Sequence, residues 1–239
     1  MRNNNRKFDE LRTIEIIPDY NIYAEGSCLI RCGNTHVLCT ASVDDKIPSW
    51  LRGEEKGWIT AEYALLPRAT QTRVSRETHG VGGRTHEIQR LIGRSLRAIT
   101  DLKLLNGFSI HVDCDVIQAD GGTRTASITG SYVALYIALE KLVKEQKIPL
   151  NPIREAVAAI SVGICDGTPL LDLEYREDCH AQVDANFVLT ENGNIVEIQG
   201  TAEEKPFTTD EYALLLDLAK KGISDLINIQ KEAIKNAKI

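Results

Sequence analysis

Short apolar runs broken by turn residues fill the first part of the chain. Residues 14–17, 27–32 and 35–43 read as strands, with Gly33-Asn34 joining the last two as a hairpin. Residues 58–63 and 108–116 continue the series. Helical spacing interrupts it twice. From Ile88 the apolar positions fall at Leu91, Ile92, Leu96 and Ile99, one stripe of a half-buried helix. A longer helix is predicted over about 125–147, with Ile128, Tyr132, Leu135, Leu139 and Leu142 on its apolar stripe, ended by Pro149 and Pro152. The second part repeats the theme with strands at Val157–Cys165 and 170–173. A hairpin of 186–190 with 195–199 follows, turning at Asn192-Gly193. The capping-box pattern Thr208-Thr209-Asp210-Glu211 then opens a last helix carrying Leu214, Leu215, Leu218, Ile223, Leu226 and Ile227. Strand-rich blocks each followed by a helix, without regular βαβ alternation, predict an α+β fold in two halves, 1–149 and 150–239.

Composition fits this picture. The 239 residues are 43% hydrophobic and 26% charged, enough for one large domain or two modest ones. The polar N-terminus, Met1 to Glu10, does not read as a secretory signal. The longest apolar run, 156–164, is about half the length a membrane-spanning helix needs. Cys28, Cys32, Cys39, Cys114, Cys165 and Cys179 form no C-x-x-C pair and mostly sit in apolar strands, so they read as buried reduced thiols of a cytosolic protein rather than zinc ligands or disulfides.

Candidate chemistry gathers where strands give way to helices. The strand ending near Gln118 breaks at Gly121-Gly122 and delivers Thr123-Arg124-Thr125 to a helix start. Paired glycines allow unusual backbone dihedrals, the free N–H groups of the helix face the turn, and Arg124 adds a planar fork suited to phosphate. Neither a P-loop nor G-x-G-x-x-G is present. Gly82-Gly83-Arg84 opens another helix, so two arginines are expected to converge on one anion.

Net charge is −6, which by itself argues against a nucleic-acid partner, but its distribution argues otherwise. Between Tyr63 and Arg97 lie seven arginines, no lysine and two acids, a local balance of +5 against −11 for the rest. Such focusing attracts polyanions. Arg68, Arg73 and Arg76 lie in a segment with proline, small polar residues and no apolar period, read as a loop that either recognises phosphate or pairs with acids of a neighbouring subunit. Arg90, Arg94 and Arg97 read as a solvated or salt-bridged helix face.

The acidic counterpart is 172–184. Asp172 and Glu174 alternate with apolar residues and are expected to face solvent from a strand. Asp178 and Asp184 bracket a short polar connection, either as ordinary solvated carboxylates or as a pair closing on one hard cation.

Residues 115–130, Asp-Val-Ile-Gln-Ala-Asp-Gly-Gly-Thr-Arg-Thr-Ala-Ser-Ile-Thr-Gly, resemble the signature of the bacterial ribonuclease PH family. Blocks at 40–43, 57–63, 66–70, 87–97 and 197–203 resemble it in the same order, across nearly the whole chain. The resemblance implies a fold like the second domain of ribosomal protein S5, with mixed sheets and packed helices in two βα halves. It implies a phosphorolytic 3′ to 5′ exoribonuclease that trims the 3′ extensions of precursor tRNA and other structured RNA, releasing nucleoside 5′-diphosphates reversibly. By similarity Arg84, Gly122, Thr123 and Arg124 bind phosphate, and Asp178 and Asp184 are catalytic and hold a divalent ion, Mg2+. Arg68, Arg73 and Arg76 contact tRNA, and the assembly is a cytoplasmic homohexamer, a trimer of dimers with no membrane partner. Cys179 and Ala185 stand where the family often has serine and methionine, and the 78–83 loop is slightly short and less positive. His36, His79, His86 and His111 read as surface or packed residues, and His180 alone is a candidate for a role. A non-catalytic RNA-binding ring subunit and a metal-dependent hydrolytic nuclease remain as other readings.

Overall fold

The computed structural model describes residues 2, 5–78, 80–203 and 205–238, so the N-terminal Met1, Asn3 and Asn4 and the histidine at 79 lie outside the described residues. Two sheets are built in chain order. Strands β1 (Ile14–Pro18), β2 (Gly26–Cys32), β3 (Thr35–Asp44), β4 (Trp58–Leu65) and β5 (Ser109–Gln118) form a five-stranded sheet in the order β1-β2-β3-β5-β4. Its pairs are antiparallel except β4 with β5, which run parallel. Strands β6 (Val157–Cys165), β7 (Thr168–Leu171), β8 (Val183–Thr190) and β9 (Ile195–Ala202) form an antiparallel sheet in the order β7-β6-β8-β9. Helix α1 (Gly83–Ala98) packs on β4, and α4 (Thr209–Lys235) on β6, β7 and β1.

Helix α2 (Thr123–Lys144) joins the sheets, packing on β2, β3 and β5 of one and β6 of the other. A single apolar stripe was expected; the helix is instead buried on nearly every side, because it is sandwiched. Its small residues make this possible. A Cβ on Gly26 of β2 would lie 2.0 Å from the Ala134 carbonyl oxygen of α2, so the backbones meet with no side chain between them. The helix starts two residues before the expected position and ends three before, where Gln146 takes a left-handed conformation (φ +58°).

The α1 stripe Ile88, Leu91, Ile92, Leu96 and Ile99 is buried as expected. Arg97 departs from the solvated face: it donates to the Ile59 carbonyl at 2.8 Å and stacks 4.5 Å over Trp58. The capping box forms at α4, where the Glu211 N–H donates to Thr208 Oγ1 at 3.1 Å. Leu214 stays 54% exposed beside the buried Leu215. All six cysteines are free thiols, four of them buried; Cys165 is half-buried and Cys179 exposed. Among the described residues no helix is long and apolar enough to cross a membrane.

The largest correction concerns 170–178. The strand there ends at Leu171, and Asp172 takes a left-handed turn (φ +57°) that no alternating strand accommodates. Asp172 is 2% exposed and Glu174 is buried too, opposite to the solvent-facing expectation. Arg12, from a distant part of the chain, supplies the partner that makes burial of Asp172 possible. A one-turn helix not foreseen from the sequence, α3 (Tyr175–Asp178), follows behind the capping box of Glu174 and Glu177.

Candidate active site

Beyond Gln118 the chain turns through Gly121 (φ +78°) and Gly122 (φ +66°), conformations that side chains resist. Space forbids a side chain as well: a Cβ on Gly121 would lie 2.7 Å from the Tyr175 nitrogen and 2.8 Å from the Leu173 oxygen. The turn is thereby seated against the segment leading into α3. Gly122 is the N-cap of α2 and Gly82 the N-cap of α1, and neither helix carries an acid in its first turn. The α2 start is left for an outside anion, whereas the Glu77 carboxylate already lies against the α1 start and accepts from Thr85 Oγ1 at 3.1 Å.

Arg84 and Arg124 rise from these two starts and line one cleft of about 500 Å³, with Gly122, Thr123, Asp178 and Asp184 also in its wall. Arg84 is exposed to solvent. Arg124 is held: it donates to Gln199 Oε1 of β9 at 2.9 Å and lies 3.7 Å from Glu87, while Gln199 donates to Glu87 and Glu197, each at 3.2 Å. Thr123 shares a 2.8 Å hydroxyl–hydroxyl hydrogen bond with the buried Tyr63.

Asp178 ends α3, and Asp184, the second residue of β8, lies close enough to feel its charge. The Asp178 carboxyl is reached by solvent but crowded by protein, and desolvation pushes it up against the pull of Arg124 and Arg84. Burial, then the Asp178 charge, raises Asp184 to about 6 despite the same arginines. Asp184 Oδ1 is buried with no hydrogen-bond partner. Two carboxyls both held above their ordinary range, one with an orphaned oxygen, suit a hard divalent cation that needs few protein ligands and keeps its waters. Among the described residues no group of three or more His, Cys, Asp or Glu converges as a metal site.

The loop arginines sit farther out. Arg68 lines a neighbouring groove with Asn34, Gln118 and Arg176, sharing Thr70, Gln71, Ala119 and Asp120 with the cleft wall. Arg73 and Arg76 are exposed and outside both linings; burial pushes the Asp115 carboxyl up, and Arg76 pulls against it. His180 is exposed, its Nδ1 within 2.8 Å of the Arg176 carbonyl, and it is absent from the cleft wall. Tyr63, Ser161 and Asn186 also line the cleft, and sequence reasoning passed over them and Gln199. Asn186 was within reach: two residues past Asp184 on a strand, it shares its face. Ser161 and Gln199 carried no local signal, since only the registers Ser161↔Asn186 and Asn186↔Gln199 bring them in.

Comparison with known proteins identifies the family. The profile of the 3′ exoribonuclease family, domain 1, matches residues 10–139, and that of domain 2 matches residues 155–222. Ribonuclease PH of Rhodospirillum rubrum is 57% identical, covering 98% of both chains. That of Mesorhizobium japonicum is 56% identical, covering 98% of this chain and all of its own. Among solved structures, rice Rrp46 superposes with a TM-score of 0.79 at 19% identity, over 98% of this chain and 100% of that one. An Archaeoglobus fulgidus exosome chain, described with RNA bound to the active site, gives 0.79 at 23% identity, over 95% and 91%. At such identities the solved structures speak for the fold alone. The sequence relatives go further: the chain belongs to the 3′ exoribonuclease family, among the bacterial ribonuclease PH proteins.

Proposed function

We propose that the cleft holds free orthophosphate between Arg84 and Arg124, on the helix start at Gly122 and Thr123, and presents it to the 3′ end of an RNA. Family membership makes the chain a phosphorolytic 3′ to 5′ exoribonuclease, with phosphate as co-substrate. The observation that carries the residue assignment is the gathering of two arginines from two helix starts and two carboxylates in the wall of one cleft.

Electrostatics explains why such a site is needed. An attacking phosphate and a phosphodiester repel by about 4 kcal/mol per charge pair near 4 Å at an effective dielectric of 20. The guanidinium of Arg124, fixed by Gln199, and that of Arg84 offset this and orient a phosphate oxygen toward phosphorus. The new P–O bond forms as the bond to the 3′ oxygen of the preceding nucleotide breaks; a nucleoside 5′-diphosphate departs, and the shortened RNA keeps its 3′ hydroxyl. Asp178 and Asp184 are read as the ligands of Mg2+ and as the groups supporting proton transfer. A divalent ion bound there would neutralise charge on the transferred phosphoryl group. No covalent protein intermediate is required.

Arg68, in the groove joined to the cleft, and the exposed Arg73 and Arg76 are read as contacts to the body of precursor tRNA. Residues 1–149 carry the phosphate arginines and 150–239 the aspartates, two family domains closing on one site. We place the enzyme in the cytoplasm, where six free thiols persist reduced, and read it as a homohexamer, a trimer of dimers. A non-catalytic ring subunit is disfavoured by the presence of both arginines and both aspartates. A precursor tRNA incubated with Mg2+ with and without phosphate tests the reading: diphosphates released only with phosphate are expected, and equal turnover in phosphate-free buffer would overturn it.

A further inference from the structure

Arg12, just before β1, lies far in sequence from every residue assigned above, yet its guanidinium reaches beneath the anion turn. It grips Asp172 with a fork, Nε to Oδ2 at 3.0 Å and Nη2 to Oδ1 at 2.6 Å, and its backbone N–H donates to Oδ2 at 2.8 Å. Its remaining nitrogen, Nη1, donates to the carbonyls of Asp120 at 2.7 Å and Gly121 at 3.4 Å. Both partners are buried, at 8% and 2% exposure. Asp172 leads by backbone into α3: its own N–H donates to the Ser161 carbonyl, and the next N–H to Ser161 Oγ in the cleft wall. Arg2 forks onto Glu177, adjacent to Asp178, at 2.7 and 2.9 Å, and Arg6 adds a contact at 3.2 Å.

A buried ion pair contributes little net stability, since desolvation consumes most of its attraction. What it supplies, and an apolar pair of like volume cannot, is direction. A trans peptide holds its N–H opposite its carbonyl. Drawing the Asp120 and Gly121 carbonyls onto Arg12 therefore aims the N–H groups of Gly121 and Gly122 to the other side of the turn. Through Asp172, the same guanidinium sets the distance from that turn to the helix ending in Asp178.

We propose that Arg12 and Asp172 are a positioning pair for phosphorolysis, coupling the phosphate turn at Gly121-Gly122 to the carboxylate arm of the site. The proposal rests on the reading that orthophosphate binds at this turn. Arg12→Lys keeps the charge and loses the fork; Asp172→Asn keeps a residue that tolerates the left-handed turn and loses the charge. For the full-length variants we expect the KM for inorganic phosphate to rise about tenfold or more with kcat reduced. The phosphate-dependent rise in Tm should need correspondingly more phosphate, while RNA affinity stays unchanged. Asp172→Asn should retain more activity than Asp172→Ala. Wild-type phosphate KM and kcat in either folded variant would overturn the proposal, as would failure of both variants to fold or a loss of RNA affinity equal to that of phosphate. Arg124→Ala serves as the control. If it too leaves the phosphate KM unchanged, the reading of the cleft itself fails; if it raises KM while Arg12→Lys does not, only the positioning role falls.

Discussion

Asp184 shows most directly how its surroundings set a residue's chemistry. Its folded pKa of about 6 lies above the ordinary 3.8, so the folded protein holds a proton that the unfolded chain has released. The stabilising contribution is therefore whole below about pH 3.8 and lost as pH rises through about 6, a difference on the order of 2–3 kcal/mol. In metal-free buffer, Asp184→Asn should gain stability relative to the parent between pH 4 and 7; denaturant titrations at both pH values measure this, and a constant difference would contradict the assignment. The parent should also gain Tm on adding Mg2+, by linkage. Asp184→Ala should abolish turnover while leaving tRNA binding intact, as read by filter binding. Arg124→Ala should raise the phosphate requirement steeply and leave assembly unchanged, since its side chain faces Gln199 and the cleft. The geometry behind these proposed roles was legible in part: Gly-Gly-Thr-Arg marked a glycine-led helix start, whereas nothing local told Asp178 and Asp184 from ordinary loop acids.

Elements were read where their pattern was self-contained. The α1 stripe and the capping box of α4 are local facts, and they hold. Helix α2 was found, but its burial on both sides was not, because a stripe reports one neighbour and α2 has two sheets. Close packing there yields a prediction. Gly26→Ala places a methyl carbon 2.0 Å from the Ala134 oxygen, so α2 must shift away from β2, at a cost of about 1–3 kcal/mol or more. Thermal unfolding should show a clear fall in Tm, and an unchanged value would mean that the helix yields without resistance. The same displacement would move Thr123 and Arg124, so the phosphate KM should rise as well.

For the whole molecule, charge distribution outweighs net charge. The chain carries −6, yet the segment from Tyr63 to Arg97 balances to +5 and borders the cleft through Arg84. RNA affinity should therefore fall linearly with salt on logarithmic axes, and replacing both Arg73 and Arg76 by alanine should flatten the slope by roughly 0.7–0.9 per lost phosphate contact. A slope unaffected by the double substitution would remove these arginines from the RNA path. Light scattering tests the hexamer.

The order of the long strands and helices, the two glycine-led helix starts, the concentration of arginine and the family itself are properties of the sequence alone, because each resides in local spacing or in collinear blocks. Tertiary structure decided which charges meet. Arg12 and Asp172 are 160 residues apart, and Asp172 is buried where Arg12, with Arg6 at 3.6 Å, neutralises it. Likewise Arg84, Arg124, Asp178 and Asp184 become one site only when the second sheet closes over α2, bringing together groups whose separation along the chain carries no periodic signal.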